Sequence, residues 1–246
     1  MTPGRSSGRP ARGSGRRTAK STPPRAAATR KTDHTITRAT GAGSDVHLAR
    51  LGPFRLGAVP GATPGKWMDV WKERMPANAI ELRTIEVAEQ QRALTDGSVD
   101  AALVRLPVVR DGLSIISLYD ETTVAVCAVD AALSAVDELT LDDLVGEIVM
   151  VPADDTLAID VPGAVAPNFP TLATTEDAVA TAATGAGIVL MPMSLARLHH
   201  RKDATYRPIV DAPTSTIALA WRTDATTPLV EAFIGIVRGR TANSSR

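Results

Sequence analysis

From Phe54 onward the sequence repeats one pattern: an apolar run, a turn, then an amphipathic stretch. Strands alternating with short helices in this way specify an α/β fold with parallel sheets. The clearest unit is TDGSVDAALVRLP, Thr95–Pro107. Asp96, Gly97 and Ser98 form a polar turn, and Val99–Val104 is apolar except for Asp100. A short, nearly continuous apolar run beside a turn suits a parallel strand covered on both faces. Arg105 closes the run. Ligands of open α/β sheets collect at the carboxyl ends of strands, so Arg105 is placed to offer its guanidinium to an anion. The alternative is an internal ion pair with a nearby carboxylate.

The same reading assigns the remaining elements. Phe54–Val59 is the first strand and ends in Pro60-Gly61-Ala62-Thr63-Pro64-Gly65. A helix follows with Trp67, Met68, Val70, Trp71 and Met75 on its apolar side, Thr63 as its cap and Pro64 in its first turn. Ile80–Val87 reads as a strand, Ala88–Thr95 as a short helix and Val99–Val104 as the third strand. Ser114–Tyr119, Thr123–Val129 and Glu147–Val151 are further strands, with a short helix over Leu141–Val145. Pro162, Pro167 and Pro170 make 154–170 a loop. Leu172–Thr174 reads as a strand and Glu176–Thr184 as a helix capped by Thr175. Strands follow at Ile188–Met191, Pro208–Val210 and Ile217–Trp221, with helices at Ser194–His199 and Pro228–Val237.

A formal charge of zero hides a split. Residues 1–50 carry eleven Arg and Lys against Asp33 and Asp45, a net of +9, which leaves −9 on residues 51–246. Such a basic arm suits a polyanion or its own acidic body. Met1–Arg38 is Gly-, Ser-, Pro-, Thr-, Ala- and Arg-rich, too poor in apolar surface to offset chain entropy, and is expected to be disordered. Arg5 precedes Ser7-Gly8-Arg9-Pro10, with Arg12 and Gly15-Arg16-Arg17 beyond it. This approaches an AT-hook, but Ser7 stands where the hook has an arginine. Phosphate contact by counterion release and a solubilising linker are the two readings of this tail.

Cys127 is the single cysteine, which excludes a disulfide framework and reads as a buried, inert thiol. No run approaches the roughly 18 apolar residues of a membrane span, and the N-terminus lacks the apolar core of a secretory signal. A soluble, cytoplasmic chain is expected. His199-His200 are adjacent on a helix and point about 100° apart, so they do not form a metal pair. Gly185-Ala186-Gly187 is a tight turn rather than a phosphate loop. There is no Ser/His/Asp order, nucleophile elbow or metal cluster, so neither enzyme, metal nor cofactor is expected.

Taken together, FRLGAVPG, WKERMP before AIELRTIE, LTDGSVDAALVRLP, LYDETTVAVC, LTLDDLVGEIVMVP, TLATTEDAVATAATGAGIVLMPMSLA and IALAWRTDATTPLVEAFIGIVR resemble the effector-binding domain of LysR-type transcriptional regulators. The resemblance runs from about Phe54 to Arg238. It implies a fold of the type-II periplasmic-binding-protein kind: two Rossmann-like lobes joined by two crossing strands, with a small-molecule effector between them. The first lobe would hold 52–123 and 212–240, and the second 124–211, within a domain over 51–240. Residues 1–50 and 241–246 would be flexible. It also implies a homodimer. The family's winged helix-turn-helix has no counterpart here, since Thr40–Leu51 is too short for one. The loop after Val151-Pro152 also replaces a helix usual in the family.

Effectors of the family are often carboxylates held by hydroxyls and backbone N–H groups at helix starts. The resemblance places Gly61, Ala62 and Thr63, Arg105, Val151 and Pro152, and Thr174 and Thr175 around such a ligand. Simple helix capping is the competing role for Thr63 and Thr175. Where the family often has Ser or Thr, this chain has Val87 or Glu86. The expected function is a non-enzymatic sensor of a small anion. The alternative is a nucleoid-associated protein whose tail binds DNA while its body dimerises. A solute-binding or catalytic relative is disfavoured by the missing secretory signal and the missing catalytic groups.

Overall fold

A computed structural model describes residues 51–239, and the expectations for the tail, including Arg5, Arg9, Arg12, Arg16 and Arg17, lie outside them. The first sheet has the order β2-β1-β3-β9-β4. β1 (Phe54–Ala58) lies between β2 (Ile80–Thr84) and β3 (Ala101–Arg105) and runs parallel to both. β9 (Ser215–Arg222) is antiparallel to β3 and to β4 (Leu113–Glu121). The sheet is therefore mixed rather than parallel throughout. β4 leaves it at Glu121 and β9 enters it beside that point, paired Glu121 to Ser215, so the two crossing strands must run in opposite directions.

The end of β2 and the start of β3 differ from the sequence reading for structural reasons. β2 stops at Thr84, where its partner β1 stops at Ala58; Val87–Glu89 is a 3-10 turn leading into α2 (Gln90–Thr95). β3 starts at Ala101 because Asp100 is engaged with Arg55. Its carboxylate accepts the Arg55 backbone N–H at 2.7 Å and the guanidinium at 2.6 Å.

α1 (Gly65–Arg74) and α5 (Pro228–Val237) cover one face of this sheet. Phe54 stacks on Trp71 at 4.8 Å and meets Phe233 at 5.2 Å between ring centroids. Each such burial is worth roughly 1.5–3 kcal/mol. The Trp71 indole N–H is satisfied by the Asn78 carbonyl at 2.8 Å. α2 covers the other face through Ala93 and Leu94, set against Ala102, Val104, Ala218 and Ala220. Small side chains there let the helix approach closely. Thr63 does not cap α1: the helix begins after Pro64, with no side-chain cap. α5 is capped by the Thr227 hydroxyl, which accepts from the Val230 N–H, with Pro228 in the first turn.

The second sheet has the order β6-β7-β5-β8. β6 (Val149–Met150) is parallel to β7 (Ile188–Pro192), and β5 (Thr123–Ala128) is antiparallel to β7 and to β8 (Ala204–Pro208). α3 (Thr175–Ala182) and α4 (Met193–Leu198) pack on one face. The opposite face is covered by turns and loops carrying Leu139, Leu144, Val161 and Ile209.

β8 thus precedes the expected Pro208–Val210 strand. Its half-buried, mixed residues pair along their whole length with Val124–Ala128 of β5, so the pattern there is weaker than its apolar neighbour suggests. Leu172–Thr174 is not a strand, since Thr174 is the extended cap residue of α3. The expected helix at Leu141–Val145 is a single 3-10 turn, Asp142–Leu144. Segment 154–170 is irregular, as its prolines imply. Cys127 is buried in β5, and that burial pushes its thiol pKa up.

The chain passes between the sheets at Glu121–Thr123 and returns before Ser215. The crossings are tied together where the Thr123 hydroxyl donates to the Pro213 carbonyl at 2.6 Å. Among the described residues no helix is long and apolar enough to cross a membrane.

Candidate functional site

Two cavities lie where the loop after β1 meets α4. The larger, about 660 Å³, is bounded by Pro60 after β1, Glu86–Ala88 after β2, Ala153–Thr156 after β6, the start of α3, and Leu195, Leu198 and His199. It therefore sits at the carboxyl ends of parallel strands, where ligands of α/β sheets collect. The smaller, about 550 Å³, is bounded by Gly61–Thr63, by Tyr119–Thr122 on the first crossing, and by Met193, Ser194, Arg197 and Leu198. Leu198 borders both.

The charges of the larger cavity are one-sided. Glu86, Asp154, Asp155 and Glu176 line it, and its lining includes neither Arg nor Lys. Asp154 accepts the Thr175 hydroxyl at 2.8 Å. Asp155 accepts the backbone N–H groups of Leu157 and Ala158 at 3.1 and 2.8 Å. Thr174 caps α3: its hydroxyl oxygen accepts the Asp177 N–H at 3.1 Å and its O–H donates to the Asp177 carboxylate at 2.8 Å. The cap is thus Thr174, not Thr175, because only Thr174 has an acidic residue three positions on.

Arg105 borders neither cavity. It is 1% exposed, and its Nη1 donates to Glu121 Oε2 at 2.7 Å and to Ser215 Oγ at 2.6 Å. Nη2 reaches the Pro60 carbonyl at 3.5 Å, whereas Nε is buried without a partner. The Gln90 side-chain amide completes the strand end, donating to the Arg105 carbonyl at 2.8 Å and accepting its N–H at 2.9 Å. Of the two roles open to Arg105 from sequence, the structure contains the internal ion pair.

The other expected site residues divide. Gly61, Ala62 and Thr63 line the smaller cavity, while Thr174 and Thr175 line the larger one with Glu86 and Val87. Val151 and Pro152 line neither; their neighbour Ala153 does. Sequence reasoning missed Gln90, Glu121, Ser215, Tyr119 and Arg197. Glu121 alone carried a signal, a carboxylate two positions before β5.

In the smaller cavity, Gly61 has φ +85°, and a Cβ there would lie 2.3 Å from Ser194 Oγ. Only glycine lets the loop after β1 rest this closely on α4. The Ser194 hydroxyl is buried without a hydrogen-bond partner. Burial and the neighbouring Glu121 charge raise the Tyr119 pKa, opposed by hydrogen bonding with Thr63. Among the described residues no group of three or more His, Cys, Asp or Glu side chains gathers for a metal. Hydroxyls, carboxylates and one guanidinium equip these cavities for hydrogen bonding and charge recognition.

Comparison with known proteins gives one consistent result. The family described as "LysR substrate binding domain" matches residues 49–242. The Hca operon transcriptional activator HcaR of Escherichia coli (strain K12) is 27% identical over 206 residues, which are 76% of this chain and 68% of HcaR. The HTH-type transcriptional regulator AlsR of Bacillus subtilis (strain 168) is 26% identical over 176 residues, 68% of this chain and 58% of AlsR. Among solved structures, the BenM effector binding domain with its effector benzoate has a TM-score of 0.63 at 19% identity, covering 79% of this chain and 96% of that one. The oxidised form of OxyR gives 0.63 at 20% identity, covering 79% and 98%.

Proposed function

This chain belongs to the LysR substrate-binding-domain family, and from that premise we propose that it is a non-enzymatic regulatory domain whose effector is a small molecule held in the larger cavity. The observation that carries this is the cavity of about 660 Å³ at the ends of β1, β2 and β6, the place where an α/β sheet receives its ligand. The BenM domain, bound to benzoate, supports a ligand of modest size. In this reading the binding unit is residues 51–240, with lobes 52–123 plus 212–240 and 124–211, and closure of the lobes on the effector shifts the equilibrium that regulates.

The effector's charge follows from the lining. The sequence points to a carboxylate with Arg105 as its partner, but Arg105 is committed to Glu121. Glu86, Asp154, Asp155 and Glu176 surround the larger cavity, which favours an amine-bearing or hydroxyl-rich effector over an anion.

We also assign pairing of two copies to this domain. β2 is an edge strand whose Leu82 is 47% exposed between Glu81 and Arg83, an apolar side chain that a second copy would cover. A second reading rests on the net +9 of residues 1–50: the tail associates with DNA through its phosphates.

Thermal melting of the full chain against panels of amines, polyols and carboxylates tests the effector reading. A ligand at 100 times its dissociation constant stabilises by about 2.7 kcal/mol. Stabilisation by an amine or polyol, weakened in Glu86→Gln and Glu176→Gln, is the expected result. Stabilisation by carboxylates alone overturns the charge assignment, and no stabilisation by any panel overturns the effector reading.

A further inference from the structure

We propose that the smaller cavity is a second, separate ligand site, and that it takes a small zwitterion of the amino-acid kind. Its two charged walls have opposite sign. On one wall, α4 presents Arg197, whose hydrogen-bond partners are the Tyr206 hydroxyl at 3.4 Å and the Met193 sulfur at 3.0 Å, neither of them charged. Its guanidinium fork therefore has no carboxylate to hold from among these partners, and a fork of this shape matches a ligand carboxylate.

On the other wall, the first crossing presents Asp120 and Glu121. Glu121 is neutralised by Arg105 at 2.7 Å. Asp120 accepts one hydrogen bond, from the Thr216 hydroxyl to Oδ1 at 2.6 Å. A carboxylate has about four acceptor positions, so Asp120 retains the capacity to receive an ammonium group. One acidic wall and one basic wall across a cavity of about 550 Å³ fit a molecule with both an amine and a carboxylate. Either charge alone would meet one wall of its own sign.

The remaining lining serves the body of such a ligand. Met193 and Leu198 supply apolar surface, and the Tyr119 phenol and Thr63 hydroxyl supply hydrogen bonds. The Ser194 hydroxyl is buried against Gly61 without a partner. A buried hydroxyl left unpaired is costly, and a ligand group within its reach would relieve that cost. The site shares only Leu198 with the larger cavity.

The test is calorimetric titration of the full chain with the standard amino acids, each compared with its deaminated acid and its decarboxylated amine. The expected result is that at least one amino acid binds ten or more times tighter than both of its single-charge analogues. Arg197→Ala and Asp120→Asn should each lose that preference; both side chains are exposed, so the variants keep the fold, as matching melting curves would verify. Equal binding of an amino acid and its acid or its amine overturns the proposal. So does binding that survives both substitutions, or no binding by any amino acid.

Discussion

Arg105 sits at the end of β3 with its charge met by Glu121 and its backbone met by the Gln90 amide. A buried pair of this kind is sensitive to the loss of one partner and tolerant of the loss of both. Arg105→Met leaves the Glu121 carboxylate buried without its cation, and should cost about 3–5 kcal/mol, read as a shift in the urea midpoint. Arg105→Met with Glu121→Leu should recover most of that loss. A single variant within about 1 kcal/mol of the parent, the range of an exposed pair, would show that the pair contributes little. The strand and its terminal arginine are readable from TDGSVDAALVRLP, because an apolar run and a turn are local signals. The partner is not readable, because Glu121 and Ser215 reach Arg105 through the pairing of β4 with β9, a contact that only the folded topology creates.

At the scale of elements, what was legible depended on how local the cause is. α5 carries its own start signal in Thr227-Pro228, and its predicted bounds match the helix. In α3 two threonines compete for the cap, and the spacing to Asp177 decides for Thr174. Thr174→Ala should therefore lower stability by about 1 kcal/mol, measured by denaturant unfolding. An unchanged midpoint would show that the helix start does not depend on that hydroxyl. β2 and β8 depart from what their own sequences suggest for a different reason. The end of β2 is set by where β1 ends, and β8 is defined by pairing with β5 despite half-buried residues. Neither cause is written in the segment itself. The candidate site divides along the same boundary: Gly61–Thr63 and Thr174–Thr175 follow from strand and helix ends, whereas Tyr119 and Arg197 come together only across the crossing.

For the whole molecule, the dominant long-range property is the opposition between a +9 segment over residues 1–50 and a −9 remainder. A body of net −9 disfavours a polyanion, so retention of the full chain on DNA is expected to come from the basic segment. Engagement of Arg5, Arg9, Arg12, Arg16 and Arg17 with one phosphate each would give a slope of log affinity against log salt of roughly −4.5. Deleting residues 1–38 should then abolish retention on a DNA column at low salt, while leaving the melting behaviour of the folded body and its response to ligands unchanged. Charge, not sequence, would govern the interaction, so duplexes of different base composition should elute at similar salt. A strong preference for A·T-rich duplex would instead mean that Arg9 and Pro10 enter the minor groove despite Ser7. Retention that persists without residues 1–38 would place DNA contact on the acidic body and refute the role assigned to the arm. With the arm removed and the ligand response intact, sensing and DNA association would be separable functions of one chain, joined only by the effective concentration that the arm provides.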